Sequence, residues 1–178
     1  MKPLIFNSTP LIYLTKIGLS SILEKLKEEK QTTPMVKREV VDEGKRKGIP
    51  DALILEGLFQ NMVFKVFEPK NTKILTNFME TKGLHLTDAE VLALTSELNG
   101  IAVIDDEVAR KVAKIYGIAY VGTPSILIKA ILQRLITKER AKQAINEMIS
   151  AGWRCSIETY SKIIDVIEKL QDSREHTE

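Results

Sequence analysis

Short apolar segments alternate with longer amphipathic segments along nearly the whole chain, and this alternation limits the possible folds more than any other feature. The apolar segments are brief and stop at polar or turn-forming residues, as β-strands do. They lie at residues 3–6, 62–67, 101–104 and 118–121, with a weaker candidate at 31–33. Strands that alternate with helices form a parallel sheet covered on both faces. The sequence therefore predicts an α/β fold.

The amphipathic segments repeat apolar residues at intervals of three and four, which is the helical period. The predicted helices lie at residues 10–16, 19–29, 34–44, 51–60, 72–82, 88–98, 107–116, 123–134, 138–150 and 157–170. No Pro-, Gly- or Ser-rich linker divides the chain, and its length suits one domain. We expect a single domain over residues 1–170, followed by a polar tail at 171–178.

The composition excludes several classes of protein. Hydrophobic residues make up 44% and charged residues 28% of the chain, a balance typical of globular proteins. The single cysteine excludes an internal disulfide and a multi-cysteine zinc site, and two histidines are too few for a histidine-rich metal site. No apolar run is long enough to span a membrane, and the N-terminus lacks the apolar core of a signal peptide. We expect a cytoplasmic protein without membrane association.

Polar side chains follow three of the predicted strands at the point where each strand ends. Asn7 follows the first strand, Asp105 and Asp106 follow the strand at 101–104, and Thr123 comes shortly after the strand at 118–121. Open parallel sheets bind ligands beyond the carboxyl ends of their strands. We therefore expect these side chains to meet at one rim of the sheet.

Acidic residues near the start of two predicted helices add to this group. They are Glu39, and Asp88 with Glu90. Clustered carboxylates repel one another unless a cation lies between them. Mg²⁺ and Mn²⁺ prefer oxygen ligands, and a cation so held activates water for displacement at phosphorus. The pattern favours a metal-dependent phosphodiesterase that needs no histidine or cysteine.

Each acid also has a purely structural interpretation. Thr87 to Glu90 matches a capping box, and either Asp105 or Asp106 would cap the helix predicted at 107. Glu39 alone would be a solvated helix residue. The metal hypothesis depends on the conjunction of these residues.

With these residues in order, the chain resembles the PIN-domain proteins. It is most similar to a small prokaryotic branch, related to VapC-type toxins, that opens with Asn- or Asp-x-Ser-Pro-Leu-Ile. The matching stretches are FNSTPLIYLTKIG at 6–18, PMVKREVVDEGKRKGIPDALILEGL at 34–58, LTDAEVLALTSELNGIAVIDDEVARKVAKIYGIAYVGT at 86–123 and GWRCS at 152–156. They cover most of the chain in the family's order.

The resemblance implies a three-layer α/β/α sandwich with a central parallel sheet of about four or five strands. It also implies an acidic pocket that binds Mg²⁺ or Mn²⁺ and cleaves single-stranded RNA. VapC-type members are toxins neutralised by an antitoxin protein, and PIN-like proteins are often homodimers. We therefore expect an antitoxin protein as a partner and a second copy of this chain in a homodimer.

The family's site residues carry over onto this sequence position by position. The resemblance implies that Glu39, Asp88 and either Asp105 or Asp106 are the catalytic acids, and the choice within the Asp105–Asp106 pair stays open. The implied metal-binding residues are Asn7, Glu39, Asp88, Glu90, Asp105, Asp106 and Thr123. Ser8 or Thr9 takes the hydroxyl of the opening motif.

Asn7 stands where the family usually has aspartate. An amide binds a metal through its carbonyl oxygen but supplies no negative charge, and affinity at such sites follows the charge count. Two hypotheses follow: a metal-dependent endoribonuclease, and a catalytically weak or inactive module that binds RNA or a protein partner. A nucleotide-binding α/β domain is disfavoured, because no glycine-rich phosphate loop follows a predicted strand.

Basic residues near the acids are candidate RNA contacts. The net charge of +2 argues against binding nucleic acid by bulk electrostatics but permits a local basic face. Lys37 lies close to Glu39 in sequence, and Arg110 lies on the helix after Asp106. We predict that these two residues contact RNA, although most surface Lys and Arg are only solvated.

Overall fold

The centre of the molecule is a five-stranded sheet in which every strand pair is parallel. The computed structural model describes residues 1–170; the predicted tail at 171–178 lies outside the described residues. The strands are β1 (Leu4–Phe6), β2 (Lys30–Thr32), β3 (Lys65–Val66), β4 (Ile101–Val103) and β5 (Tyr120–Val121), in the spatial order β3-β2-β1-β4-β5. In register, Leu4 lies opposite both Lys30 and Ile101.

Helices fill the connections between these strands. They are α1 (Ser8–Lys16), α2 (Ser20–Lys25), α3 (Pro34–Lys37), α4 (Gly44–Arg46), α5 (Asp51–Gln60), α6 (Thr72–Met79), α7 (Leu86–Glu97), α8 (Glu107–Ile115), α9 (Thr123–Leu132), α10 (Lys138–Ser150) and α11 (Ile157–Lys169). A π-helical segment, Arg38–Glu43, joins α3 to α4. The predicted helix at 34–44 is thus present but changes its winding at the residues around Glu39.

The strand order reverses between β1 and β4. From β1 the chain moves to β2 and β3 on one side, and then returns to β4 and β5 on the other. Crossovers between parallel strands are right-handed, so the helices of the two halves cover opposite faces. In agreement, α1 contacts α5 on one face and α7 contacts both α6 and α8 on the other. The predicted α/β/α sandwich around a parallel sheet is confirmed.

The weakest strand prediction, at 31–33, corresponds to a strand that is buried although its side chains are polar. Lys30, Gln31 and Thr32 are at most 8% exposed. The Lys30 ammonium donates to the carbonyl oxygens of Leu26 and Glu28, and the Thr32 hydroxyl donates to that of Phe6. Buried polar groups need such partners. The helix predicted at 19–29 stops at Lys25, because the chain turns to enter this strand.

The core is continuous and apolar around β1, whose three residues are completely buried. Phe6 packs edge-to-face against Phe64 at 5.3 Å between ring centroids. Within residues 1–170, no helix has both the length and the apolar character that a membrane span requires.

Candidate metal centre

The reversal of strand order places a crevice at the carboxyl ends of β1 and β4. Ligands of open α/β sheets bind at this switch point, because the flanking helices diverge there. Asn7 follows β1 directly, and its backbone N–H donates to Val103 O of β4 at 3.1 Å. Asp105 and Asp106 leave the end of β4. These three residues therefore lie at the same rim of the sheet, as predicted.

Asn7 connects the start of α1 with the acid on α7. Its Oδ1 accepts from the Ser8 backbone N–H at 2.8 Å and caps α1, while its Nδ2 donates to Asp88 Oδ1 at 2.5 Å. Both Asn7 and Asp88 are at most 6% exposed. The amide therefore presents a donor to the acid, and its oxygen is engaged at the helix start.

Ser8 holds the second acid. Its hydroxyl donates to Glu39 Oε2 at 2.7 Å, and Glu39 is half-buried on the π-helical segment. The sequence left Ser8 and Thr9 as alternatives for this hydroxyl, and the contact belongs to Ser8. Two consecutive residues, Asn7 and Ser8, thus bring Asp88 and Glu39 to the same helix start.

Asp106 lies near enough to Asp88 for its charge to act on that acid. It caps α8 by accepting from the Ala109 backbone N–H at 2.8 Å, and it remains exposed. Burial, and after it the charge of Asp106, raise the pKa of Asp88 to about 6, against the hydrogen bond from Asn7 that lowers it. The like charges of Asp88 and Asp106 repel each other at this site, and the charge of His85, at the start of α7, offsets that repulsion only in part.

Asp105 lies in a different environment, although it is adjacent in sequence. Its Oδ1 accepts from the Thr123 backbone N–H and from Arg110 Nη2, and its Oδ2 accepts from the Thr123 hydroxyl and from Trp153 Nε1, at 2.5 to 3.2 Å. Arg110 also donates through Nε to Ile104 O. We call Asp105, Arg110, Thr123 and Trp153 the Asp105 cluster. Its carboxylate is fully engaged by protein donors.

The turn at Gly122 has to be glycine for the Asp105 cluster to form. A Cβ at this position would overlap the Arg110 guanidinium and would lie 2.9 Å from Asp105 Oδ1. The backbone after β5 therefore lies so close to the Arg110–Asp105 ion pair that a side chain at position 122 would displace it.

Glu90 points away from Asp88. It lines a separate cavity, and its Oε2 is buried with no hydrogen-bond partner within the described chain. The capping-box interpretation of Thr87 to Glu90 is wrong, because α7 begins at Leu86 with His85 at the N-cap. Thr87 then lies inside the first turn, where its hydroxyl is not at the capping position.

The two predicted RNA-contacting residues differ in their surroundings. Lys37 is exposed, with its ammonium 5.7 Å from the centre of the Phe59 ring. Arg110 is partly buried and is held by Asp105 and by Ile104 O. Of the two, Lys37 has the more accessible charge.

The donor set suits a cation that keeps open positions. Among residues 1–170, no three or more Asp, Glu, His or Cys side chains form a group that could by itself hold a metal ion. Mg²⁺ in proteins is usually held by one or two carboxylates, with water and substrate oxygens in the other positions. The carboxyl groups of Asp88 and Asp106 fit that type of site as its one or two acidic ligands, and Glu39 is held at the start of α1 by Ser8.

The sequence pattern did not identify Trp153 as a partner of this region. The tryptophan is 7% exposed, and its indole N–H donates to Asp105 at 3.2 Å. A buried indole N–H requires an acceptor, which was the one available signal. It did not indicate which acceptor.

Comparison with known proteins gives one family and one fold. Residues 3–169 match the family described as PIN domain. The crystal structure of PAE2754 from Pyrobaculum aerophilum is similar, with a TM-score of 0.54 and 13% sequence identity, and the match covers 72% of this chain and 97% of that one. At that identity the similarity concerns the fold. No curated protein matches the chain.

Proposed function

The chain belongs to the PIN-domain family, and from that premise we propose that it is a divalent-metal-dependent endoribonuclease that hydrolyses phosphodiester bonds in single-stranded RNA. The supporting observation is the proximity of Asp88 and Asp106 at the sheet's switch point, with the pKa of Asp88 raised to about 6. Two carboxylates arranged in this way favour a dication between them.

In this proposal Asp88 and Asp106 would hold a Mg²⁺ or Mn²⁺ ion, and Glu39 acts on the attacking water. A dication bound there lowers the pKa of water and offsets charge on the phosphate. Asp105 and Thr123 act by fixing the end of β4 against the end of β5, since Asp105 is engaged by protein donors. Glu90 belongs to the neighbouring cavity.

The chain's own groups position the reaction. Asn7 Nδ2 orients the Asp88 carboxylate and favours its ionised form, and the Ser8 hydroxyl fixes Glu39 through Oε2. The second Glu39 oxygen, Oε1, is then available to accept the proton of the attacking water, as a general base does. Asp106 is held in place because it also caps α8.

Cleavage of a fluorescent single-stranded RNA in Mn²⁺, compared with EDTA, tests this function. We expect Asp106→Asn and Glu39→Gln each to lower the rate by about 100-fold, in the range usual for removing an acid–base or charge-stabilising group. Asp42→Asn is the matched control, since Asp42 is exposed on the same π-helical segment as Glu39. Equal rates in all four proteins would contradict the proposal and indicate a contaminating nuclease.

A catalytically weak or inactive module that binds RNA or a protein partner is the second candidate, and the position of Asn7 favours it. An aspartate at this position would repel Asp88, whereas the Asn7 amide donates to it at 2.5 Å and so satisfies the acid without a cation. This arrangement reduces the dependence of the folded site on metal.

Asn7→Asp distinguishes the two candidates. We expect the variant to bind Mn²⁺ at least about tenfold more tightly, because the site gains a carboxylate and loses a donor that competes for Asp88. Without metal it should unfold at a lower temperature than the wild type, since the hydrogen bond to Asp88 becomes a repulsion. Calorimetric titration and thermal unfolding measure both effects. Unchanged Mn²⁺ affinity would show that position 7 does not belong to the metal centre.

We also propose that the chain belongs to the branch related to VapC-type toxins, because its Asn-Ser-Thr-Pro-Leu-Ile opening lies at residues 7–12. An antitoxin partner, a homodimer, a single domain over residues 1–170 and a cytoplasmic location belong to the same proposal. Growth arrest on expression of the wild type, but not of Asp106→Asn, would support a toxin.

A further inference from the structure

Helix α5 has an outer face that is uncharged and mostly apolar. Residues three, four and seven positions apart lie on one side of a helix, and on α5 this spacing joins residues that are exposed or half-buried. With the two cap residues they are Pro50, Leu53, Ile54, Gly57, Gln60 and Asn61. Leu53 is 62% and Ile54 48% exposed, whereas Leu55 and Leu58 on the other side are buried. Exposed apolar surface of this kind marks an interaction site.

Gly57 lies at the centre of this face, and the packing of one chain does not require a glycine there. A glycine in the middle of a helix is less stable than an alanine. A Cβ at position 57 would meet no neighbouring group of the described chain within 4 Å, and the backbone is not left-handed. The glycine therefore leaves an open gap on the surface, one helical turn after the Leu53 side chain.

Exposed apolar residues also lie at both ends of α5. Met62 comes directly after the C-cap with a φ of 58°, at a position where helices usually have glycine. Its side chain is 74% exposed. A methionine in this backbone conformation costs free energy, and its apolar side chain gains nothing from contact with water. Ile49, before the N-cap, is exposed as well. The apolar surface is thus longer than the helix itself.

We propose that this face of α5 pairs with the same face of a second copy of the chain. The proposal rests on the homodimer put forward above, whose surface it names, and it does not depend on RNA cleavage. A twofold axis places residue i of one copy opposite residue j of the other, and the reverse. In two antiparallel α5 helices, Leu53 of each copy fills the gap at Gly57 of the other. A small residue at the crossing lets the two helices approach closely.

Charge favours a second copy over RNA or a charged protein partner. RNA binding requires cations, and a charged partner requires charges of the opposite sign. The six residues of the face carry no charge, and Glu56, which follows on α5, is already paired with Lys45 at 2.9 Å. Like charges that meet across a twofold axis repel each other. An uncharged face avoids this repulsion and suits pairing with itself.

The size of the surface predicts a weak dimer. Helix α5 has 10 residues and is therefore about 15 Å long. One face of such a helix, with the flanking Ile49 and Met62, supplies roughly half of the ~800 Å² that each partner contributes to a standard interface. We expect a dissociation constant in the micromolar range, so that monomer and dimer coexist at concentrations used in the laboratory.

Pairing through this face leaves the acid site accessible. Helix α5 contacts the π-helical segment that carries Glu39. The contact is close at Ala52, since a Cβ at Gly44 would lie 2.8 Å from the Ala52 Cβ. Ala52 and Gly57 are separated by about 140° around the helix axis. The dimer surface therefore lies on a different side of α5 from the segment that holds Glu39.

Analytical ultracentrifugation of the full chain, from micromolar to near-millimolar concentration, tests this surface. We expect the wild type to change from monomer to dimer over that range. Gly57→Lys and Leu53→Lys should each weaken dimerisation at least about tenfold, because one fills the gap and the other removes the side chain that enters it. Asn77→Lys adds the same charge at an exposed position of α6 and should leave dimerisation unchanged.

Thermal unfolding at low concentration separates loss of pairing from loss of folding. Gly57→Lys should unfold at a higher temperature than the wild type, because lysine has the higher helix propensity and its side chain has open space. A variant that is more stable as a monomer and yet fails to dimerise places the glycine in the interface.

A wild type that stays monomeric at every concentration would overturn the proposal and leave this face to a different protein. A dimer that survives both Gly57→Lys and Leu53→Lys would also overturn it, because its contact would lie elsewhere. A dimer that forms only on addition of single-stranded RNA would contradict the charge argument. Sedimentation requires no cleavage, so an inactive protein that dimerises through α5 would keep this inference and lose only the nuclease function.

Discussion

Replacing Asp105 with alanine should lower the free energy of unfolding by about 3–5 kcal/mol, the usual cost of removing one partner from a buried ion pair. The Asp105 carboxylate is 9% exposed and accepts from Arg110, from Trp153 and twice from Thr123. Its removal leaves four donor groups, which belong to three residues, without this acceptor. Urea unfolding followed by the fluorescence of Trp153, the only tryptophan, measures this loss and reports on the cluster itself.

Asp106→Asn is the matched control for this prediction. Asn and Asp cap helices about equally well, so the cap on α8 should survive and the free energy of unfolding should change by less than about 1 kcal/mol. The metal response should nevertheless disappear, because the carboxylate near Asp88 is lost. If the two variants lose similar stability, or if Asp105→Ala leaves stability unchanged, the distinction between a structural Asp105 and a metal-binding Asp106 is wrong.

Asp88→Asn should stabilise the metal-free protein at neutral pH by up to about 3 kcal/mol. The pKa of Asp88 is raised from 3.8 to about 6 by burial and by Asp106, so ionising it is costly in the folded state. The asparagine keeps an oxygen for Asn7 Nδ2 and carries no charge. The variant should therefore remove the cost of a buried charge without losing the hydrogen bond.

The pH dependence of this gain has a definite sign. Below pH 4 Asp88 is protonated in both states, and wild type and variant should be equally stable in this respect. Between pH 4 and 6 the unfolded chain releases the proton while the folded chain keeps it, so the wild type loses stability as pH rises. The advantage of Asp88→Asn should grow over this interval and level off above pH 7. Urea unfolding of both proteins at pH 4, 5, 6 and 8 measures it.

Addition of Mn²⁺ provides the corresponding control. At pH 8 the ion should stabilise the wild type, because ligand binding to the folded state adds to the free energy of unfolding, and it should leave Asp88→Asn unaffected. A gain that is independent of pH would show that Asp88→Asn acts by packing. A gain that vanishes above pH 7 would contradict the raised pKa.

The sequence alone predicted the order and type of most elements, because each is a local pattern. The strand at 101–104 is apolar and stops at two acids, and the amphipathic stretch after it is α8. Even β2 was visible as a weak candidate. Its polar side chains hid its burial, since the partners that satisfy Lys30 and Thr32 are backbone oxygens that only the fold supplies.

The acids could be predicted as a set, whereas their individual surroundings could not. Asp105 and Asp106 are neighbours of the same residue type, so no sequence pattern separates them. Their side chains leave the end of β4 in different directions, one into the Asp105 cluster and one toward Asp88. The side chains of Asp88 and Glu90 on α7 also point in different directions, because residues two positions apart in a helix lie on nearly opposite sides of it.

The amino-acid sequence determined that this chain is an alternating α/β protein with polar groups at its strand ends. These features are local, because the period of a strand or helix and the residues that end a strand involve only a few neighbouring positions. The tertiary structure decided which of those polar groups meet. Asn7 and Asp88 are 81 residues apart, and Asp105 and Trp153 are 48 apart. Contacts over such distances depend on the order of strands in the sheet and on the direction in which each side chain leaves its element.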